Sequence, residues 1–189
     1  MVIPLWSSSN TRLAVFVGPG SLFLVEPGPN RVCEVNLGGR WPEAELTQWS
    51  PNARYLAMIA STEPPDPLIR STDILVLDVL TGELRRLPLS TKRDLVTTIA
   101  WSANSRHLAV LAKTTSGTPY ANLFLVDVVT GDVRPMLSEY TFGSGASWGQ
   151  QMAWARHGRS LALECPALRD ATGMIVQSGV CLVSTETRP

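Results

Sequence analysis

The sequence is short of charge, of histidine and of cysteine, and each shortage excludes something. Charged residues make up 17% of the 189, below the roughly 25% of an average soluble domain. The 16 basic side chains are balanced by 16 acidic ones. No positive excess is available to hold phosphates or an anionic bilayer, so no nucleic-acid partner is expected. No apolar run approaches the roughly 18 residues of a membrane-spanning helix, so no membrane insertion is expected. The opening Met1-Val2-Ile3-Pro4-Leu5-Trp6 has neither the basic nor the apolar stretch of a secretory signal. Three cysteines, Cys33, Cys165 and Cys181, include no Cys-x-x-Cys pair, which argues against a disulfide framework and against zinc. Their apolar neighbours predict buried, inert thiols. A Cys165–Cys181 bridge stays open, should the two face each other on neighbouring strands in an oxidising compartment.

What is present is repetition. Four segments align without gaps: Trp6-Ser7-Ser8-Ser9-Asn10-Thr11-Arg12-Leu13-Ala14, and the stretches running from Trp49 to Ala57, Trp101 to Ala109 and Trp154 to Ala162. Each carries Trp, then Leu-Ala seven positions on. A second block follows each first: Leu22 to Glu26, Ile74 to Asp78, Leu123 to Asp127 and Val180 to Ser184. In the middle copies it runs into Thr81-Gly82-Glu83-Leu84-Arg85 and Thr130-Gly131-Asp132-Val133-Arg134.

None of this has helical spacing. The apolar runs are short, rich in Val, Ile and Leu, and bounded by Gly, Pro, Asn, Ser and Asp. Thr-Gly between two such runs predicts a tight hairpin in which glycine supplies a positive φ. Each repeat therefore reads as four antiparallel strands: a, ending at Trp; b, of the Leu-Ala type; c, of the Ile-Leu-Val-Leu-Asp type; and d. Strands b and c are apolar on consecutive rather than alternate residues, so their sheets are expected to be covered on both faces. Small four-stranded sheets stacked face to face about an axis satisfy that demand, which makes the expected fold an all-β propeller; a sandwich would leave one polar face per sheet.

The block Trp49-Ser50-Pro51-Asn52-Ala53-Arg54-Tyr55-Leu56-Ala57, followed by Asp73 to Asp78 and by Thr81-Gly82, resembles the TolB-type, WD-like β-propeller repeat. That repeat reads Trp-Ser-Pro-Asp-Gly-x-x-Leu-Ala. Here Asn52-Ala53, Asn104-Ser105 and His157-Gly158 depart from its Asp-Gly. The resemblance covers nearly the whole chain and implies a fold rather than an activity; such repeats are known in bacterial proteins, in periplasmic TolB and in propellers of oligopeptidase-like enzymes. It leaves the compartment open: cytoplasmic if Met1 is the native start, periplasmic or extracellular if the chain is a fragment of a TolB-like protein.

A single propeller-type domain over residues 1–189 is expected, with blades at about 2–37, 45–89, 95–137 and 150–189, the last lacking its outer strand d. Three readings remain for so few blades: a piece of a longer protein, a half-ring that pairs with a second copy or another chain, or a small closed ring.

The a–b turns are of one length and the c–d turns are tight, whereas the b–c and d–a connections are long and varied, and in an up-and-down blade those two lie on one face. Variable loops on a rigid scaffold usually carry function. The candidate binding residues are Arg40, Trp41, Arg70, Arg93, Tyr120, Tyr140, Phe142 and Trp148, since Trp, Tyr and Arg anchor interfaces; interblade packing is the alternative for each aromatic. A protein partner or a second copy is the expected ligand. A carbohydrate bound through loop aromatics, or a role as the propeller of a larger oligopeptidase-like hydrolase, are the alternatives.

Catalytic chemistry is not expected. Gly145-Ala146-Ser147-Trp148-Gly149 matches the nucleophile-elbow pattern but precedes a strand rather than a helix, and both histidines, His107 and His157, fall in a–b turns on the opposite face. The innermost strands offer Thr and Gln but no acid or His, so no metal and no cofactor is expected. Asp78 and Asp127, recurring at the end of strand c, read as acceptors for turn N–H groups. Arg85-Arg86 and Lys92-Arg93 read as solvated pairs.

Overall fold

A computed structural model of the chain describes residues 2–18, 20–61, 72–87, 94–114, 120–141, 152–164, 168–169, 175–177 and 180–185. Every regular element among them is a β-strand. The first sheet is the meander β1 (Val2–Trp6), β2 (Leu13–Val17), β3 (Ser21–Glu26) and β4 (Arg31–Val35); the second is β5 (Trp41–Trp49), β6 (Tyr55–Ser61), β7 (Thr72–Asp78) and β8 (Glu83–Leu87). The third is β9 (Asp94–Trp101), β10 (His107–Thr114), β11 (Tyr120–Asp127) and β12 (Val133–Thr141). The fourth holds three strands among the described residues, β13 (Met152–Trp154), β14 (Ser160–Glu164) and β17 (Val180–Ser184), in the order β13-β14-β17. Between β14 and β17 lies a hairpin of its own, β15 (Leu168–Arg169) and β16 (Ile175–Gln177), where the sequence predicts only a long connection.

The chain divides into two compact units, Met1–Lys92 and Arg93–Pro189, each holding two of the repeats. In the first, one face of the first sheet (Ile3, Leu5, Ala14, Phe16, Leu22, Leu24) meets Leu56, Met58, Ala60, Leu75 and Leu77 of the second in a single apolar cluster. In the second unit, Ala109, Leu111 and Leu123 meet Leu161 and Leu163, with Met152, Trp154 and Val183 packed alongside. Strand β6 is buried along its whole length, on both faces, which is what its unbroken run of apolar residues requires.

Two expectations change. Trp41 opens β5, Tyr120 opens β11 and Tyr140 lies within β12, so none of them stands in a loop. The strands run further than the apolar blocks because Trp, Tyr and Thr suit a strand as well as Val or Ile do; the added length is taken up by irregular register between Glu43 and Gln48 and between Ala121 and Phe124. The reading of all three cysteines as buried thiols also fails. Cys33 is a free thiol exposed on β4, the last strand of its sheet, and Cys181 is disulfide-bonded. Apolar neighbours in sequence did not bury Cys33, because a sheet's last strand has a partner strand on one side only.

Candidate functional site

The a–b turns are built alike in all four repeats. The N–H of the residue after Trp binds a carbonyl five residues on: Ser7 to Arg12, Ser50 to Tyr55, Ser102 to His107 and Ala155 to Ser160, at 2.8–2.9 Å. The fourth residue after Trp has a positive φ each time: Asn10, Ala53, Ser105 and Gly158 at 55°, 56°, 59° and 71°. Within the turn, Asn52 Oδ1 accepts the Arg54 N–H and Asn104 Oδ1 accepts that of Arg106, both at 3.0 Å. In the fourth repeat His157 stands at this position, and its Nδ1 accepts the Arg159 N–H at 3.2 Å. His157 thus has a turn-capping role, one the two asparagines foreshadow.

The same face carries an arginine–carboxylate clasp. Arg54 meets Asp78 at 2.7 Å and Arg106 meets Asp127 at 2.8 Å, while Arg12 meets Glu26 at 2.9 Å in the first repeat. The other oxygen of each aspartate accepts turn N–H groups: Leu80 at 3.0 Å on Asp78, and Val129 and Thr130 at 2.9 and 3.2 Å on Asp127. Burial pushes both carboxyls up, but the arginine hydrogen bond, the turn N–H groups and the arginine charge outweigh it and hold each below the ordinary carboxylate range. Beside Asp127, at 4.0 Å, burial pushes the His107 imidazole down; Asp127 opposes this, and Arg106 and Arg134 add to it. These groups join the a–b turn to the c–d turn. Among the described residues no three His, Cys, Asp or Glu side chains converge as a metal site.

The opposite face, with the b–c and d–a connections, is the candidate binding surface. Asp73, at the start of β7, is buried to 7% side-chain exposure and holds two arginines: Arg40 Nε on Oδ2 at 2.9 Å and Arg86 on Oδ1 at 2.8 Å. Arg40 is therefore tied to the scaffold. Arg86, which the sequence suggested was merely solvated, is ion-paired and 54% exposed. The two guanidiniums share one carboxylate, so the cluster keeps a formal charge of +1. They line a depression of about 380 Å³ with Asn36, Gly38 and Leu84. A second cleft of about 550 Å³ opens between the first two sheets, lined by Arg12, Arg31, Cys33, Leu77 and Leu84. Sequence reasoning missed Asp73 and Arg86; the available signal was an acid placed directly before the apolar run Ile74-Leu75-Val76-Leu77, which needs a cationic partner if it is buried. Of the other candidates, Tyr120 pairs with Thr141 and Tyr140 with Ala121 across β11 and β12. Arg70, Arg93, Phe142 and Trp148 lie outside the described residues, as does the 145–149 motif.

No family model and no curated protein matches the sequence. Solved structures do resemble the fold. The chain is similar to Porphyromonas gingivalis dipeptidyl peptidase 4, with a TM-score of 0.71 at 14% identity over 94% of this chain and 32% of that one. It is similar to the tricorn protease, with a TM-score of 0.59 at 15% identity over 86% of this chain and 15% of that one. It is similar to the Swd1 β-propeller domain of Myceliophteria thermophila, with a TM-score of 0.56 at 14% identity over 86% of this chain and 50% of that domain. At such identities the likeness is one of fold: this is an all-β chain of propeller blades, spanning about a third of the peptidase and half of the propeller domain.

Proposed function

We propose that the chain is a non-catalytic β-propeller module of the TolB-like type, bacterial in origin, that binds a protein partner through its b–c and d–a face. The observation that carries this reading is the Arg40–Asp73–Arg86 cluster. It joins a buried carboxylate to two arginines on that face, Arg86 of which is half exposed, and it borders a depression lined also by Asn36, Leu75 and Leu84. An acidic or hydrogen-bonding segment suits it. The opposite face, where the clasps satisfy the turns internally, supports scaffold stability instead. The test is affinity capture from the source cell extract by wild type, by Arg86→Ala and Trp41→Ala, and by Thr81→Ala on the opposite face. Capture lost only in the first two variants supports the reading. Capture unchanged in both, or lost equally in Thr81→Ala, overturns it.

A second reading has one observation in its favour: the peptidase likeness covers almost all of this chain but a third of the other. On that reading the chain is the propeller portion of a larger hydrolase. A hydrolase domain encoded next to these residues would favour it.

A further inference from the structure

The cleft between the first two sheets and the depression at Arg40 and Arg86 are the two ends of one groove, because Asn36 and Leu84 line both. Leu77 and Leu84 make the cleft end apolar, and Leu75 and Leu84 the depression. One wall is the last strand of the first sheet. Strand β4 pairs with β3 on one side, and among the described residues no strand pairs with its other edge. Cys33, Glu34 and Val35 of β4, and Asn36 after them, all line the cleft. Consecutive side chains of a strand point to opposite faces, so a cleft reached by consecutive residues borders the strand's edge. The residues from Arg31 to Glu34 are all exposed. The groove therefore offers backbone N–H and C=O groups, which an extended peptide matches and an apolar small molecule does not.

At the depression end, buried Asp73 faces two guanidiniums. Each guanidinium has five N–H donors and a carboxylate has about four acceptor sites, so one aspartate does not saturate the pair. Two arginines against one aspartate leave a formal charge of +1. A single further carboxylate neutralises it and matches the planar donors of a guanidinium; a phosphate dianion overshoots.

We propose that the groove takes an extended segment of a protein partner, paired as a further strand on the free edge of β4, with one acidic side chain at Arg40 and Arg86 and apolar side chains on Leu77 and Leu84. This rests on the reading that the chain binds a protein, and adds to it the backbone mode of binding and the anchoring residue. The strand edge selects a peptide, the unbalanced arginine pair selects its acid, and the leucines select what flanks it.

Titration calorimetry with the acetylated, amidated peptide Glu-Val-Thr-Val-Ser-Val tests this, its glutamate being its only ionised group. The reversed sequence is titrated as well, so that both strand directions are covered. One-to-one binding of one of the two is expected. Glutamine in place of the glutamate is expected to weaken it roughly tenfold. Arg86→Ala is expected to weaken the glutamate peptide to the same level and to leave the glutamine peptide unchanged. N-methylation of alternate residues is expected to abolish binding in one phase of the alternation and spare it in the other, because alternate N–H groups of a strand face the same neighbour. If Arg86→Ala lacks a cooperative thermal transition, the comparison of glutamate and glutamine peptides on wild type decides. No binding by either peptide, equal binding of the glutamate and glutamine forms, or an equal effect of both methylation patterns overturns the proposal. Extract capture that still depends on Arg86 while no peptide binds removes this mode and keeps the protein-partner reading. Peptide binding with capture unchanged in Arg86→Ala does the reverse, keeping the groove as a peptide site.

Discussion

The fourth residue after each repeated tryptophan shows how much a single backbone angle decides. It is left-handed in every copy, yet only Gly158 is a glycine. An L-residue pays roughly 1–2 kcal/mol there. No heavy atom lies within 4 Å of where a Gly158 Cβ would sit, so Gly158→Ala isolates the conformational cost from any clash. It is expected to destabilise the chain by about 1 kcal/mol in denaturant titration. The reverse change, Ala53→Gly, relieves a similar strain but removes a methyl that is 2% exposed, worth about 0.8 kcal/mol, so its net effect is expected to be close to zero. That this position differs from the Asp-Gly of the resembled repeat was legible from the sequence. That the chain keeps the strained angle with alanine and serine was not, because φ is enforced by the hydrogen bonds closing the turn on both sides.

Among the elements, the clasp between the a–b turn and the c–d turn holds each hairpin pair in register. Its carboxylates were legible as turn acceptors, but their arginines were not. A partial signal was there: the repeats ending strand c in Asp, the second and third, have Arg five residues after Trp, and the first pairs Glu26 with Arg12, but the fourth keeps Arg159 at that place beside Ser184 and so blurs it. Arg54 and Arg106 are about half exposed, so the ion-pair part is screened and the turn hydrogen bonds carry more of the contribution. Because Asp78 and Asp127 lie below their ordinary range in the folded chain, their contribution is complete above the unfolded value of about 3.9. It is lost as pH falls through the lower folded values. The thermal midpoint is therefore expected to drop as pH falls below about 4, and an Asp78→Asn, Asp127→Asn double variant to start lower at pH 7 and drop less. An equal acid drop in the variant would show that other carboxylates govern it.

For the whole molecule, the covalent state separates what neighbours in sequence suggest from what packing delivers. Cys33 is free and exposed, Cys181 is disulfide-bonded, and the sequence holds one further cysteine, Cys165, outside the described residues. Thiol titration of the unfolded, unreduced chain is expected to find one reactive group, and three after reduction. Three before reduction would show Cys181 to be a thiol. A bond persisting in the purified protein would favour an oxidising compartment.

The sequence by itself determined the repeated strands, their order within each sheet and the covering of β6 on both faces. Each strand pairs with the next one of its repeat, so the sheets follow from local turns, and consecutive apolar residues cannot all be buried on one side of a strand. Only the tertiary structure decided which charges pair. Arg54 and Asp78 are 24 residues apart and Arg40 and Asp73 are 33 apart, and their meeting depends on several hairpins closing together. It also decided the different fates of one repeated tryptophan: Trp49 and Trp154 bury their N–H against the preceding blade, whereas Trp6 opens the first repeat and lies half exposed. A side chain's role here depends on what stacks against its sheet, and no local pattern encodes that.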